Sequence, residues 1–210
     1  MNTKERIIEE ALTLFAEKGY KGTSVKQIAE AVGIKDASLY KHYKSKQEIF
    51  DSIVTLINEH ISNLSDTLGL PQNEDQHTEA SNLYHKLDFD GLKDLIRKAF
   101  IFYLTDPYIY KFWRIAHMEQ YQNEQIYGMY RQIFMDNAIS YQTSLIAAMM
   151  KAGILCNGDA RAVAISFYAP IFLLLTMYMD HSDKKDEALT ILDSQIEEFV
   201  RVYRKEDYEY

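Results

Sequence analysis

Between Thr23 and Lys46 the chain reads Thr-Ser-Val-Lys-Gln-Ile-Ala-Glu-Ala-Val-Gly-Ile-Lys-Asp-Ala-Ser-Leu-Tyr-Lys-His-Tyr-Lys-Ser-Lys, and this stretch limits the fold more than any other. Ser24 followed three residues later by Gln27 is the spacing of a capping box, in which each side chain satisfies a backbone donor at a helix start. Val25, Ile28, Ala29 and Val32 then recur at helical intervals and form one apolar stripe. Gly33 ends the helix, because a residue without a Cβ takes the left-handed conformation that a tight turn needs. A second short helix is predicted from about Lys35 to His42, with Leu39 and Tyr43 as its inward pair at i and i+4. Ala29 is small enough for the second helix to cross close over the first. The pattern is that of two short helices at a steep angle, a helix-turn-helix.

The residues that the second helix leaves outside its core stripe are Ala37, Ser38, Tyr40, Lys41 and His42: small contacts, hydroxyls, a cation and an imidazole. Between Lys18 and Lys46 stand seven lysines against Glu30 and Asp36, a local charge of +5 in a chain whose total is −8. An island of positive charge suits phosphate binding, because neutralising phosphates releases condensed counterions. A solvated lysine face would account for the charge alone. It would not account for the agreement of cap, turn glycine, small crossing residue and basic exposed helix.

Thr23-Ser24-Val25 with Ile28-Ala29, then Val32-Gly33-Ile34, then Leu39-Tyr40-Lys41-His42-Tyr43 and Lys46, resemble the N-terminal signature of the TetR family of bacterial transcription regulators. Phe15-Ala16-Glu17-Lys18-Gly19-Tyr20 is similar to the end of that family's first helix. The resemblance covers about the first 55 residues; the remainder of such proteins diverges with the effector bound. It implies an all-α chain with a DNA-binding domain over 1–61, its helix-turn-helix at about 24–43, and an effector-binding and dimerisation domain over 62–210. The function implied is a repressor that binds a palindromic operator in double-stranded DNA as a homodimer and is released by a small molecule, with an activator of the same family as the alternative. Tyr40, Lys41 and His42, with Ala37 and Ser38, are then expected at the major groove. Ser24, Lys26, Lys35 and Lys46, with Val25 beside them, are expected at the phosphates.

The remaining composition agrees with such a protein. Hydrophobic residues make up 47% and charged residues 26%, the balance of a globular chain. A single cysteine, Cys156, leaves no intrachain disulfide and fits a reducing cytoplasm. Met1 to Arg6 leads directly into an amphipathic helix, so no signal peptide is read and a cytoplasmic location is expected. Residues 1–50 carry nine Lys or Arg and seven Asp or Glu, whereas 51–210 carry fourteen and twenty-four. A basic head on an acidic body orients the molecule toward a polyanion by its head.

In chain order, the first helix is predicted from Thr3, as N-cap, to Lys18, with Gly19 as its stop. Ser45 and Glu48 repeat the capping-box spacing and open a longer helix to about Leu68, which links head and body. Gly69 to Asp88 is polar and reads as a connecting loop. Its His77, Glu79 and His85 match no tight zinc spacing, so no metal is expected. Asp106 before Pro107 is a strong helix start, and a longer helix is predicted from Asn123 to Ala152. No strand pattern occurs anywhere in the chain.

The middle helices are rich in aromatic side chains with polar tips, which suit either a core or a pocket for a largely apolar ligand. Phe100, Tyr103, Trp113, His117, Tyr130 and Phe134 are the expected effector contacts, with Glu119 and Asp136 available to a cationic ligand. No cofactor is expected. From Ala162 to Met179 the chain is almost unbroken in apolar residues, about the length of a bilayer span. Pro170, Ser166, Thr176 and the lack of a basic flank favour instead a helix buried on two sides, against its own core and a partner. With the last helix, Lys185 to Lys205, it is expected to form a four-helix dimer interface over about 159–205, with Leu174 and Phe199 in it. The absence of a Ser-His-Asp, Cys-His or HExxH spacing argues against an enzyme. A helical ligand carrier without a DNA-binding role would not need the basic head.

Overall fold

A computed structural model describes residues 2–70 and 89–205. His77, Glu79 and His85 therefore lie outside the described residues. The helices are α1 (Thr3–Gly22), α2 (Val25–Val32), α3 (Asp36–His42), α4 (Lys46–Leu68), α5 (Phe89–Thr105), α6 (Pro107–Glu119), α7 (Glu124–Arg131), α8 (Ala138–Lys151), α9 (Ala160–Tyr178) and α10 (Lys185–Tyr203). A π-helical turn, Gln132–Asn137, joins α7 to α8. The described residues contain no strand, only an isolated bridge between Leu155 and Arg204. The chain is all-α.

Helix ends follow local chemistry, with three departures from the sequence reading. Asn2, not Thr3, caps α1: its side chain accepts the Glu5 N–H at 3.0 Å, and Glu5 reaches back to the Asn2 N–H at 2.8 Å. Three residues beyond Thr3 stands Arg6, which has no acceptor to complete a box. At α4 the box is half made. Ser45 Oγ accepts the Glu48 N–H at 3.1 Å, while Glu48 turns to the Lys44 N–H at 2.6 Å. The predicted 123–152 helix is interrupted by the π turn, whose Phe134 carbonyl accepts the Tyr168 hydroxyl at 2.7 Å. The hydroxyl supplies from α9 a partner for a carbonyl in the irregular ladder.

The chain packs as two compact units, 1–61 with 107–133, and 62–106 with 134–210. The sequence reading assigned everything after 61 to a second domain; in the structure 107–133 packs with 1–61. The first unit is centred on Phe15, Phe50 and Phe112, all fully buried, with ring centroids 6.2 Å apart for Phe15–Phe50 and 6.1 Å for Phe50–Phe112. α6 lies along α1, and polar pairs flank the apolar contact. The Tyr108 hydroxyl donates to Glu9 at 2.8 Å, and the Lys111 ammonium to Thr13 Oγ1 at 2.9 Å.

In the second unit α8 and α9 enclose Leu145, Ile146, Met149, Leu155, Val163 and Ala164. The Cys156 N–H donates to the Tyr203 carbonyl at 2.8 Å, pinning the end of α10 to the α8–α9 connection. Lys93 and Arg97 of α5 pair with Glu197 and Asp193 of α10. α9 keeps one side open. It has the hydropathy of a bilayer span, 1.7, but only 22% of its apolar window is buried. Ile165, Leu173 and Met177 are 43%, 57% and 52% exposed, one row at i, i+8 and i+12. Leu174, expected at an interface, is 4% exposed and belongs to the unit's own core.

Gly19 interrupts α1 with φ 76° and ψ 162°, a region that side chains with a Cβ essentially never occupy. An added Cβ would also sit 3.1 Å from Glu119 Oε1. Gly19→Ala should therefore cost about 1–3 kcal/mol of stability. Gly22→Ala, whose Cβ would meet only Lys18 Cβ at 3.7 Å, should stay within about 1 kcal/mol of the native protein. Urea unfolding followed by circular dichroism compares the two.

Candidate nucleic-acid interface

The helix-turn-helix is built as its residues dictate. Ser24 Oγ accepts the Gln27 N–H at 3.2 Å, and Gln27 Oε1 accepts the Ser24 N–H at 2.8 Å, a complete box. Gly33 closes α2 at φ 77°, ψ 32°, its N–H turned back to the carbonyls of Ala29 and Glu30. The Arg6 guanidinium reaches from α1 to the Val32 carbonyl at 2.5 Å, taking up another acceptor at that helix end. Ile28, Ala29, Val32, Leu39 and Tyr43 are buried, so α3 is held through its inner face.

That leaves Ala37, Lys41 and His42 exposed, Tyr40 48% exposed and Ser38 half-buried, with Lys35 and Lys44 exposed at either end of α3. Ser24 and Lys26 are exposed at the start of α2, and Val25 is half-buried. Lys26 stands 3.9 Å from Glu30, a solvent-screened pair on the helix surface. Nine of the ten expected DNA contacts thus leave side chain at or near the surface, although the Ser24 hydroxyl is also engaged as the cap of α2.

Lys46 is different. Its ammonium donates to the carbonyls of Tyr20 at 2.7 Å and Thr23 at 2.9 Å, and lies 4.3 Å from the centre of the Tyr20 ring. Burial pushes its pKa down, while the nearby Glu119 charge pulls it up. Its first duty is internal, tying the start of α4 to the α1–α2 connection.

Tyr20 gathers further partners. Its ring packs on Phe15 at 5.2 Å and on Phe50 at 5.6 Å, and its hydroxyl donates to Gln47 at 3.1 Å. Its N–H donates to Glu119 Oε1 at 2.9 Å, and the Lys21 N–H approaches the same oxygen at 3.4 Å. Glu119 is 4% exposed. The sequence reading offered it to a cationic ligand; the structure uses it on backbone amides of the head. Its partners lie 99 and 98 residues away, so no local pattern reports them.

The six aromatic residues expected at an effector fall three to each unit. In the first, Trp113 stacks on His117 at 5.4 Å, Tyr130 meets both edge-on at 5.1 and 5.4 Å, and Tyr127 stacks on Tyr130 at 5.8 Å. His117 Nδ1 bonds the Trp113 carbonyl at 2.9 Å. In the second, Tyr103 meets Phe134 edge-on at 6.3 Å, and burial pushes the Tyr103 pKa up to about 12. Phe100 and Phe134 are each 2% exposed. Asp136 is exposed. Among the described residues no group of three metal-ligating side chains comes together.

Comparison with known proteins converges on one family. The family model for bacterial regulatory proteins, tetR family, matches residues 7–53. IcaR of Staphylococcus aureus (strain Newman), the HTH-type negative transcriptional regulator of the biofilm operon icaADBC, is 31% identical over 130 residues, 62% of either chain. IcaR of Staphylococcus epidermidis is 35% identical over 123 residues, 59% of this chain and 58% of that one. The match spans less than two thirds of the length of these relatives. Among solved structures, SmeT in complex with triclosan superposes with a TM-score of 0.71 at 19% identity, covering 98% of this chain and 93% of that one. That likeness is one of fold. Residues 7–53 are thus those of the bacterial regulatory tetR family, and the all-helical fold behind them is that of SmeT.

Proposed function

We propose that the protein is a transcriptional repressor that reads a palindromic operator as a homodimer and lets go of it when a small molecule binds. The observation that carries the reading is α3: its inner face is fixed by Leu39 and the following Tyr43, and its outer face presents Tyr40, Lys41 and His42 to solvent. A rigid short helix with amphiphilic and cationic side chains outward is what a major groove accepts. The repressor sign follows IcaR, named a negative regulator.

The operator is found by selecting duplexes from random sequence with the whole protein. On the selected duplex, Tyr40→Ala should weaken binding by about 1–3 kcal/mol with the fold intact. Lys41→Ala should also reduce the slope of log affinity against log salt by about one. Mobility-shift titrations at several salt concentrations measure both. Native affinity in both folded variants would remove α3 from the interface.

A single α3 reads too few base pairs for useful specificity, and a palindrome calls for a two-fold pair of readers. The open side of α9 supplies a surface for pairing. Beside the exposed row Ile165, Leu173 and Met177 lies a groove of about 190 Å³ between α9 and α10, lined by Phe167, Pro170, Ile171, Ile196, Phe199 and Val202. A second copy of the same helices provides both ridge and groove, as a self-complementary interface requires. Leu173→Glu should leave the protomer folded, because the side chain is exposed there, and should shift it from dimer to monomer in sedimentation. A wild-type protein that sediments as a monomer at about 10 μM, where a standard-size interface holds, would refute the pairing.

The aromatic groups of the two units have the chemistry of a site for a lipophilic ligand with a few polar contacts. Triclosan, bound by SmeT, is a reasonable first probe. A compound that raises the melting temperature should also release labelled duplex, and DNA must lower its affinity by the same factor. Trp113→Ala tests the group in the first unit and Tyr103→Ala that in the second. The variant that still binds duplex but is no longer released locates the effector. If neither variant alters release by a compound that acts on the native protein, the effector lies elsewhere.

A further inference from the structure

Glu119 closes α6, where the helix dipole disfavours a carboxylate, and it is 4% exposed. Only specific donors compensate a buried charge of this kind. They come from the turn after Gly19, where Tyr20 and Lys21 present successive N–H groups to Oε1, a small anion-binding concavity of the backbone. Oε2 has no hydrogen-bond partner among the described residues. On the other side of the same turn the Lys46 ammonium holds the carbonyls of Tyr20 and Thr23. The peptide groups on either side of Tyr20 are thus gripped, amide by a carboxylate and carbonyl by an ammonium. Ser24, which caps α2, follows directly on Thr23.

We propose that Glu119 is a positioning residue for DNA reading: by accepting the amides of Tyr20 and Lys21 it fixes where α2, and with it α3, stands. The inference rests on the DNA-binding reading above, but concerns a residue outside the helix-turn-helix. It predicts an effect opposite in sign to simple electrostatics. Removing a negative charge from the unit that meets DNA should strengthen binding to a polyanion. Removing the acceptor should weaken it.

The test compares Glu119→Ala, Glu119→Met and Glu119→Gln in the full chain, on the duplex selected by the wild-type protein. Glutamine keeps an acceptor and loses the charge; methionine keeps the bulk and loses both. Alanine and methionine variants should bind at least fivefold more weakly, with an unchanged salt slope, because no phosphate contact is lost. The glutamine variant should bind within twofold of wild type or more tightly. Amide exchange at Tyr20 and Lys21 should quicken in the first two and not in the third. Wild-type affinity in the alanine and methionine variants would overturn the proposal, as would a glutamine variant as weak as the other two. If alanine and methionine variants both fail to fold while glutamine is native, Glu119 is a folding element and not a positioning one, which also overturns it. If the wild-type protein selects no duplex, the DNA-binding reading has failed. Amide exchange then still decides whether the clamp exists.

Discussion

The first unit depends on how its chain turns between Gly19 and Thr23. Helix α1 is broken at Gly19, which takes a conformation closed to other residues, and the turn exposes polar backbone that must be satisfied away from water. Three side chains do this. Glu119 takes the amides of Tyr20 and Lys21, Lys46 takes the carbonyls of Tyr20 and Thr23, and the Thr23 hydroxyl, 1% exposed with its residue, donates to the Gly19 carbonyl at 2.9 Å. Tyr20 itself is wedged against Phe15 and Phe50.

Local rules made the helix-turn-helix legible. Ser24 with Gln27, Gly33, and the inward pair Leu39 and Tyr43 each act within four residues, so sequence spacing carries the whole argument. Lys46 and Glu119 were not legible in the same way. A lysine in a basic stretch looks like a phosphate ligand until its partners are known, and the carbonyls it holds are 26 and 23 residues away. Glu119, among aromatic residues, reads from sequence as an acid available to a cationic ligand. Nothing in its neighbourhood signals burial, because the amides it accepts belong to a different helix end.

The middle of the chain shows a second limit. Apolar periodicity across 123–152 reads as one helix, and the structure inserts a π turn at Gln132–Asn137. A π turn adds a residue without breaking the helix, so the apolar stripe continues while its register shifts. The boundary between the two units falls at 133/134, inside this turn. No spacing in the sequence signals that division, which places Trp113, His117 and Tyr130 in one unit and Phe100, Tyr103 and Phe134 in the other. The apolar length of α9 was legible, but not which of its residues face outward. Leu173 and Leu174 are neighbours in sequence, yet one is 57% exposed and the other 4%.

The open side of α9 bears on gene dosage. In the proposed dimer, the species that reads a palindrome forms in a second-order step. While most chains are single, the paired form rises with the square of the total, by mass action. Operator occupancy would then climb from low to high over a narrower range of protein level than a single-chain reader allows. A cell that halved its supply of this protein would lose about three quarters of the reading species, in the regime where monomer dominates. The exposed row of Ile165, Leu173 and Met177 would thus set a concentration threshold, below which the operator stands largely unread.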